Sequence, residues 1–111
     1  MISVHITRRK PDRRIMRFSI EGHANYANKG KDIVCAGVSA VSVGAVNSVE
    51  ALAGVQLPAS MKDGWLNSEV PEEAEASVDA KVQLLLESMV VMLDSIQQSY
   101  SRFVKIHEHY L

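Results

Sequence analysis

The stretch "DIVCAGVSAVSVGAVNSVEALAG", residues 32–54, decides the fold. Asp32 stands where an N-cap belongs, with a carboxylate able to accept the free N–H groups of a first helical turn. Gly54 and then Pro58 supply the stop. Between them the pattern predicts a helix of roughly six turns. Its faces differ: Val34, Val38, Val41, Ala45 and Leu52 make an apolar stripe, Gly37, Ala40, Gly44, Asn47 and Ala51 a small one, and Cys35, Ser39, Ser42 and Val46 a third. A helix apolar nearly all round belongs at the centre of a molecule. Gly37 and Gly44 each cost about 1 kcal/mol of helix propensity against Ala. The small stripe therefore predicts a closely approaching backbone whose packing offsets that cost.

Upstream, Ile2, Val4 and Ile6 alternate with Ser3, His5 and Thr7, and Met16, Phe18 and Ile20 resume the same period after "RRKPDRR" (8–14). This is the pattern of a hairpin whose turn chemistry comes from Pro11 and Asp12. Residues 22–31 lose the period and hold Gly22, Gly30 and two Asn, so a loop follows. Downstream, "SMKDGWLNSEV" (60–70) reads as a short strand, a Lys-Asp-Gly turn and a strand carrying Trp65 and Leu66, with strand boundaries left open within 56–75. Glu72, Glu73, Glu75 and Asp79 precede or open a second helix, where negative charge complements the macrodipole. Val78, Val82, Leu85, Met89, Met92 and Ile96 recur on one face of it. The tail "RFVKIHEHYL" (102–111) alternates again and returns to the sheet. The predicted fold class is α+β, with two helices packed on a largely antiparallel sheet in the order β-β-α-β-β-α-β and residues 1–111 forming a single domain.

Composition narrows the setting. With 111 residues and 47% apolar content, the chain closes one modest core. A net charge of −1 gives no global attraction to nucleic acid or to an anionic membrane. The apolar run 33–55 is long enough to span a bilayer, but Ser39, Ser42, Asn47, Ser48 and Glu50 interrupt it, predicting a buried helix of a soluble protein. The N-terminus lacks the apolar core and small-residue cleavage site of a signal peptide. The lone cysteine, Cys35, fits a reducing compartment, and the expected localisation is cytoplasmic.

Cys35 falls near the third residue of the first helix, where unpaired N–H groups and the macrodipole favour a thiolate, while the Asp32 charge partly opposes them. His23 precedes it by a loop that can fold back toward the helix start, which makes a Cys-His pair geometrically possible. On residues alone, a buried structural cysteine beside a surface histidine is the plainer account.

A resemblance adds to that reading. "GHA" (22–24) followed by "GKDIVCAGVSA" (30–40) resembles the signature of the ribosomal-processing cysteine protease family, Prp. The likeness covers essentially the whole chain, through the hairpin, the small-residue helix, the acidic stretch and the second helix ending in "SIQQSY" (95–100). It implies a cysteine endopeptidase that removes the short N-terminal extension of a bacterial large-subunit ribosomal protein, cutting after aromatic residues. Cys35 then corresponds to the nucleophile and His23 to the general base, with no cofactor or metal. Gly22, Asp32 and Ser39 match further motif positions. Physically, Asp32 reads as a cap and orienter of His23, Ser39 as a neighbour of Cys35 one turn on, and Gly22 as a hinge. Helix-start N–H groups, that of Cys35 included, would receive the oxyanion, and the 22–31 loop would be mobile when empty and close over peptide. The family also implies a homodimer.

Two rivals come from other classes. The basic hairpin tip could make an RNA- or ribosome-binding module, although it lacks interleaved aromatic residues for base stacking. His107 and His109 share a strand face that His5 could join, which raises a metal site; exposed strand histidines are the plainer account of them.

Overall fold

A computed structural model describes all residues, 1–111. Strands β1 (Ile2–Arg8) and β2 (Ile15–Glu21) form the hairpin, and helix α1 runs over Ile33–Ala53. Strands β3 (Ala59–Lys62) and β4 (Trp65–Glu69) make a second hairpin, followed by helix α2 (Ala76–Ser99) and strand β5 (Val104–Tyr110). The sheet order is β3-β4-β2-β1-β5. All pairings are antiparallel except β1 with β5, which is parallel. The expected element order and α+β class hold, with the sheet mixed at one edge.

Both helices cover one face of the sheet. Ile2, Val4 and Ile6 of β1, Phe18 and Ile20 of β2 and Leu66 of β4 meet Val34, Val38, Val82, Leu86 and Met89 in one core of 19 buried residues. The period-2 rule sends Ser3, His5 and Thr7 to the other, polar face. A register shift between Thr7 and Arg8 brings Ile15, rather than Met16, fully into the core.

The helix faces differ from the expected ones by a rotation. On α1 the buried line is Val34, Val38, Ser42, Ala45 and Val49, while Leu52 is 67% exposed. Ser42 is tolerated because its hydroxyl donates to the Val38 carbonyl at 2.7 Å. On α2 the buried line is Val82, Leu86, Met89 and Leu93, and Met92 points outward. The apolar positions of each helix exceed what one sheet face can cover, so periodicity alone did not select among them. The close backbone approach expected at the small stripe is absent within this chain: a Cβ on Gly44 would meet nothing within 4 Å. By length and hydropathy α1 also suffices to cross a membrane, yet here it packs on α2 and on the sheet.

Candidate active site

The site forms where three elements end together. Asp32 caps α1, its Oδ1 accepting from the Val34 and Cys35 N–H groups, both at 3.0 Å. Cys35 is thereby fixed as the third helical residue, one turn before Ser39. From the other side β2 stops at Glu21, and the chain turns through Gly22 (φ +94°) to His23. Gly22 is wedged and does not act as a free hinge: a Cβ there would lie 2.5 Å from the Met1 carbonyl oxygen. The Met1 amino group donates to the His23 carbonyl at 2.7 Å, which completes the turn.

The loop is folded back onto the helix start, and Ala24 N–H donates to the Cys35 Sγ at 3.3 Å. Asp32 holds this arrangement with its second oxygen, which accepts from Tyr26 N–H at 3.0 Å and Ala27 N–H at 3.4 Å. The Cys35 N–H, and after it the loop amides of Ala27 and Tyr26 and the Cys35 side chain, hold the Asp32 carboxyl below the usual carboxylate range against the opposing cost of desolvation. With both oxygens engaged this way, Asp32 makes no hydrogen bond to His23, so the expected orienting role is not what the geometry provides. The loop is also anchored by aromatic contacts. Tyr26 stands edge-on to Tyr100 and Phe103, with ring centroids 5.7 and 5.2 Å away.

The third wall comes from a segment that sequence reasoning left without a role. β4 pairs with β2 so that Trp65 lies opposite Glu21. The β3–β4 turn, Asp63-Gly64, therefore sits beside the Gly22-His23 turn, and Gly22 N–H donates to the Gly64 carbonyl at 2.8 Å. "KDG" announces a turn, but only the sheet order shows what it turns against.

Two clefts meet at this point. One, of about 220 Å³, runs under the β3–β4 hairpin over Ile20, Val38, Val43, Met61, Trp65 and Leu66. The other, of about 510 Å³, runs along the loop past Asn25, Lys29, Gly30 and Asp32. His23, Cys35, Ser39 and Asp63 line both. The Ser39 hydroxyl makes no hydrogen bond within the chain, whereas the Cys35 N–H expected to receive an oxyanion already donates to Asp32. Ala24 N–H is the backbone donor on the sulfur itself.

Elsewhere, three arginines of the basic hairpin are matched by carboxylates. At the hairpin tip Arg8 pairs with Glu87, Arg9 with Asp12 and Glu72, and Arg14 with Asp79. Phosphates would have to compete with these carboxylates, which counts against the RNA reading. His5 does join His107 and His109: its Nδ1 lies 2.9 Å from the His109 Nε2, and it stacks on both rings. His5 thus stacks on both other rings and bonds one of them.

The chain is similar to known proteins over nearly its whole length. A family model described as "Cysteine protease Prp" matches residues 1–105. The ribosomal processing cysteine protease Prp of Bacillus subtilis (strain 168) is 42% identical over 101 residues, spanning 89% of this chain and 90% of that one. Among solved structures, the essential ribosomal processing protease Prp from S. aureus with a covalently linked product peptide superposes with a TM-score of 0.86. It is 29% identical, with all of both chains covered. The same protease with a substrate peptide gives 0.80 at 28% identity, covering 97% of this chain and 99% of that one.

Proposed function

Because the chain belongs to the cysteine protease Prp family, we propose that Cys35 is its nucleophile and His23 its general base, and that its substrate is the N-terminal extension of a large-subunit ribosomal protein. The observation that carries the reading is the junction itself. Cys35 Sγ, held by the Ala24 N–H at 3.3 Å, opens with His23 onto the same two clefts.

His23 takes the proton of the Cys35 thiol, and the thiolate attacks the scissile carbonyl carbon and places negative charge on its oxygen. The Ala24 N–H, which donates to the sulfur, is freed as the sulfur gives up its charge and becomes a donor for that oxygen. Protonated His23 hands its proton to the departing amine as the C–N bond breaks, leaving a thioester on Cys35. His23 then takes a proton from water, whose oxygen attacks the thioester, releasing the new carboxyl terminus and the thiol. The cleft floored by Met61, Trp65 and Leu66 supports an apolar or aromatic residue beside the cut, and Ser39 is free to bond the peptide. The working unit in this reading is a single cysteine protease domain, residues 1–111, acting in the cytoplasm.

It acts as a homodimer. Leu84 and Val91, two turns apart on the outer face of α2, are 70% and 66% exposed, and the unpartnered Gly44 lies on α1. That face suits a second copy.

The test is incubation of the protein with the extended and mature forms of the ribosomal protein, followed by mass measurement. The wild type removes the N-terminal segment, while Cys35→Ala and His23→Ala fold normally and leave it in place. Normal processing by Cys35→Ala sinks the proposal.

A further inference from the structure

We propose that Gly64 is a positioning residue of the active site: the side chain it lacks is the space in which the His23 ring lies. The inference rests on the reading of His23 as the base. A Cβ built on Gly64 would stand 2.6 Å from the His23 Nε2, 2.9 Å from its Cε1 and 3.3 Å from its Cδ2. The imidazole edge that carries Nε2 thus lies directly on the Gly64 backbone, closer than any side chain permits. The sheet enforces this approach, because Trp65 pairs with Glu21 and Gly22 N–H donates to the Gly64 carbonyl. The two turns cannot slide apart without breaking the β2–β4 ladder. His23 is exposed, so a methyl group at residue 64 would be relieved by the ring swinging away. The fold would survive, and the base would leave the position from which it lines the two clefts with Cys35.

Gly64 has a second reason to be glycine, its φ of +73°, and a matched control separates the two. Gly54 has φ +70°, and a Cβ there meets nothing within 4 Å. Gly54→Ala and Gly64→Ala therefore suffer the same backbone strain, each lowering Tm by roughly 4–8 °C. Only Gly64→Ala touches His23.

The experiment measures kcat and KM on the extended ribosomal protein for wild type, Gly54→Ala, Gly64→Ala and His23→Ala. It also records the His23 ring resonances by NMR in the first three. Gly54→Ala keeps kcat and the resonances. Gly64→Ala loses about 100-fold in kcat with KM little changed, and its His23 resonances shift. Wild-type kcat in Gly64→Ala beside an inactive His23→Ala overturns the positioning role alone, as do unmoved resonances. Full activity in His23→Ala overturns the reading of the base and this role with it. A Gly64→Ala chain that fails to fold where Gly54→Ala folds also overturns the role, because the ring and not the fold must yield.

Discussion

The loop that presents Ala24 to Cys35 is held by side chains whose removal has a calculable effect. Tyr26 makes two edge-to-face contacts, with Tyr100 and Phe103. Such pairs contribute about 0.5–1.5 kcal/mol each. Tyr26 is 43% exposed, which favours the lower half of the range, so Tyr26→Ala removes about 1–2 kcal/mol from the closed loop. The loop-opening constant then rises about 5- to 30-fold. The readout is amide exchange at Ala24, Ala27 and Lys31, whose N–H groups donate to Cys35 Sγ, Asp32 Oδ2 and the Asn28 carbonyl and are released only when the loop opens. Tyr26→Phe keeps both contacts and leaves exchange unchanged. Asp32→Asn retains a good N-cap oxygen but turns an NH₂ donor toward the Tyr26 and Ala27 amides, so it speeds the same loop amides while those in the middle of α1 stay protected. Cleavage responds less than exchange, because a loop still mostly closed keeps its competent fraction near one. Acceleration at Ala27 below about twofold in Tyr26→Ala refutes the reasoning.

Two further outcomes follow from charge and surface. Arg8 is 3% exposed and grips the Glu87 carboxylate with two hydrogen bonds of 2.7 and 2.8 Å. The Arg8 hydrogen bonds hold Glu87 below its usual 4.5, against the cost of desolvation. A depressed carboxyl adds stability above its unfolded pKa and loses it as pH falls through the folded one. Glu87 is itself 43% exposed, so Glu87→Gln costs about 2 kcal/mol at pH 7, less than for a fully buried pair. That is a Tm loss on the order of 10 °C, and it shrinks as pH drops below 4.5; thermal melts at pH 7 and pH 3 that show the same gap contradict it. For the proposed dimer, light scattering at micromolar concentration should give twice the 12.2 kDa chain mass, and Leu84→Glu with Val91→Glu should halve it. A wild-type mass of one chain rejects the dimer.

What could be read from the chain was whatever is local. Asp32 as a cap, Gly54 as a stop, the Asp63-Gly64 turn and the alternation of β1 each depend on a few neighbouring residues, and each stands where its chemistry put it. The inward faces of α1 and α2 were only partly legible, since Leu52, Leu84 and Met92 satisfy a helical period as well as Val49, Leu86 and Leu93 do. Which of them is buried depends on where the other helix and the sheet lie. The role of Asp32 was half visible for the same reason. Its bonds to Val34 and Cys35 are local, and its bonds to Tyr26 and Ala27 require the loop to fold back.

The third wall of the site was out of reach for a topological reason. Strand β2 leads through α1 to β3, and β3 is not its neighbour: β4 enters between them and pairs with both. That insertion sets the Asp63-Gly64 turn against the end of β2 and hence against His23. Had β3 paired with β2 directly, the loop, the cap and Cys35 could keep their local chemistry, but no backbone would lie under the imidazole. The local motif therefore supplies the sulfur and its amide donor, and the order of the strands sets the Gly64 backbone against the histidine proposed as its base.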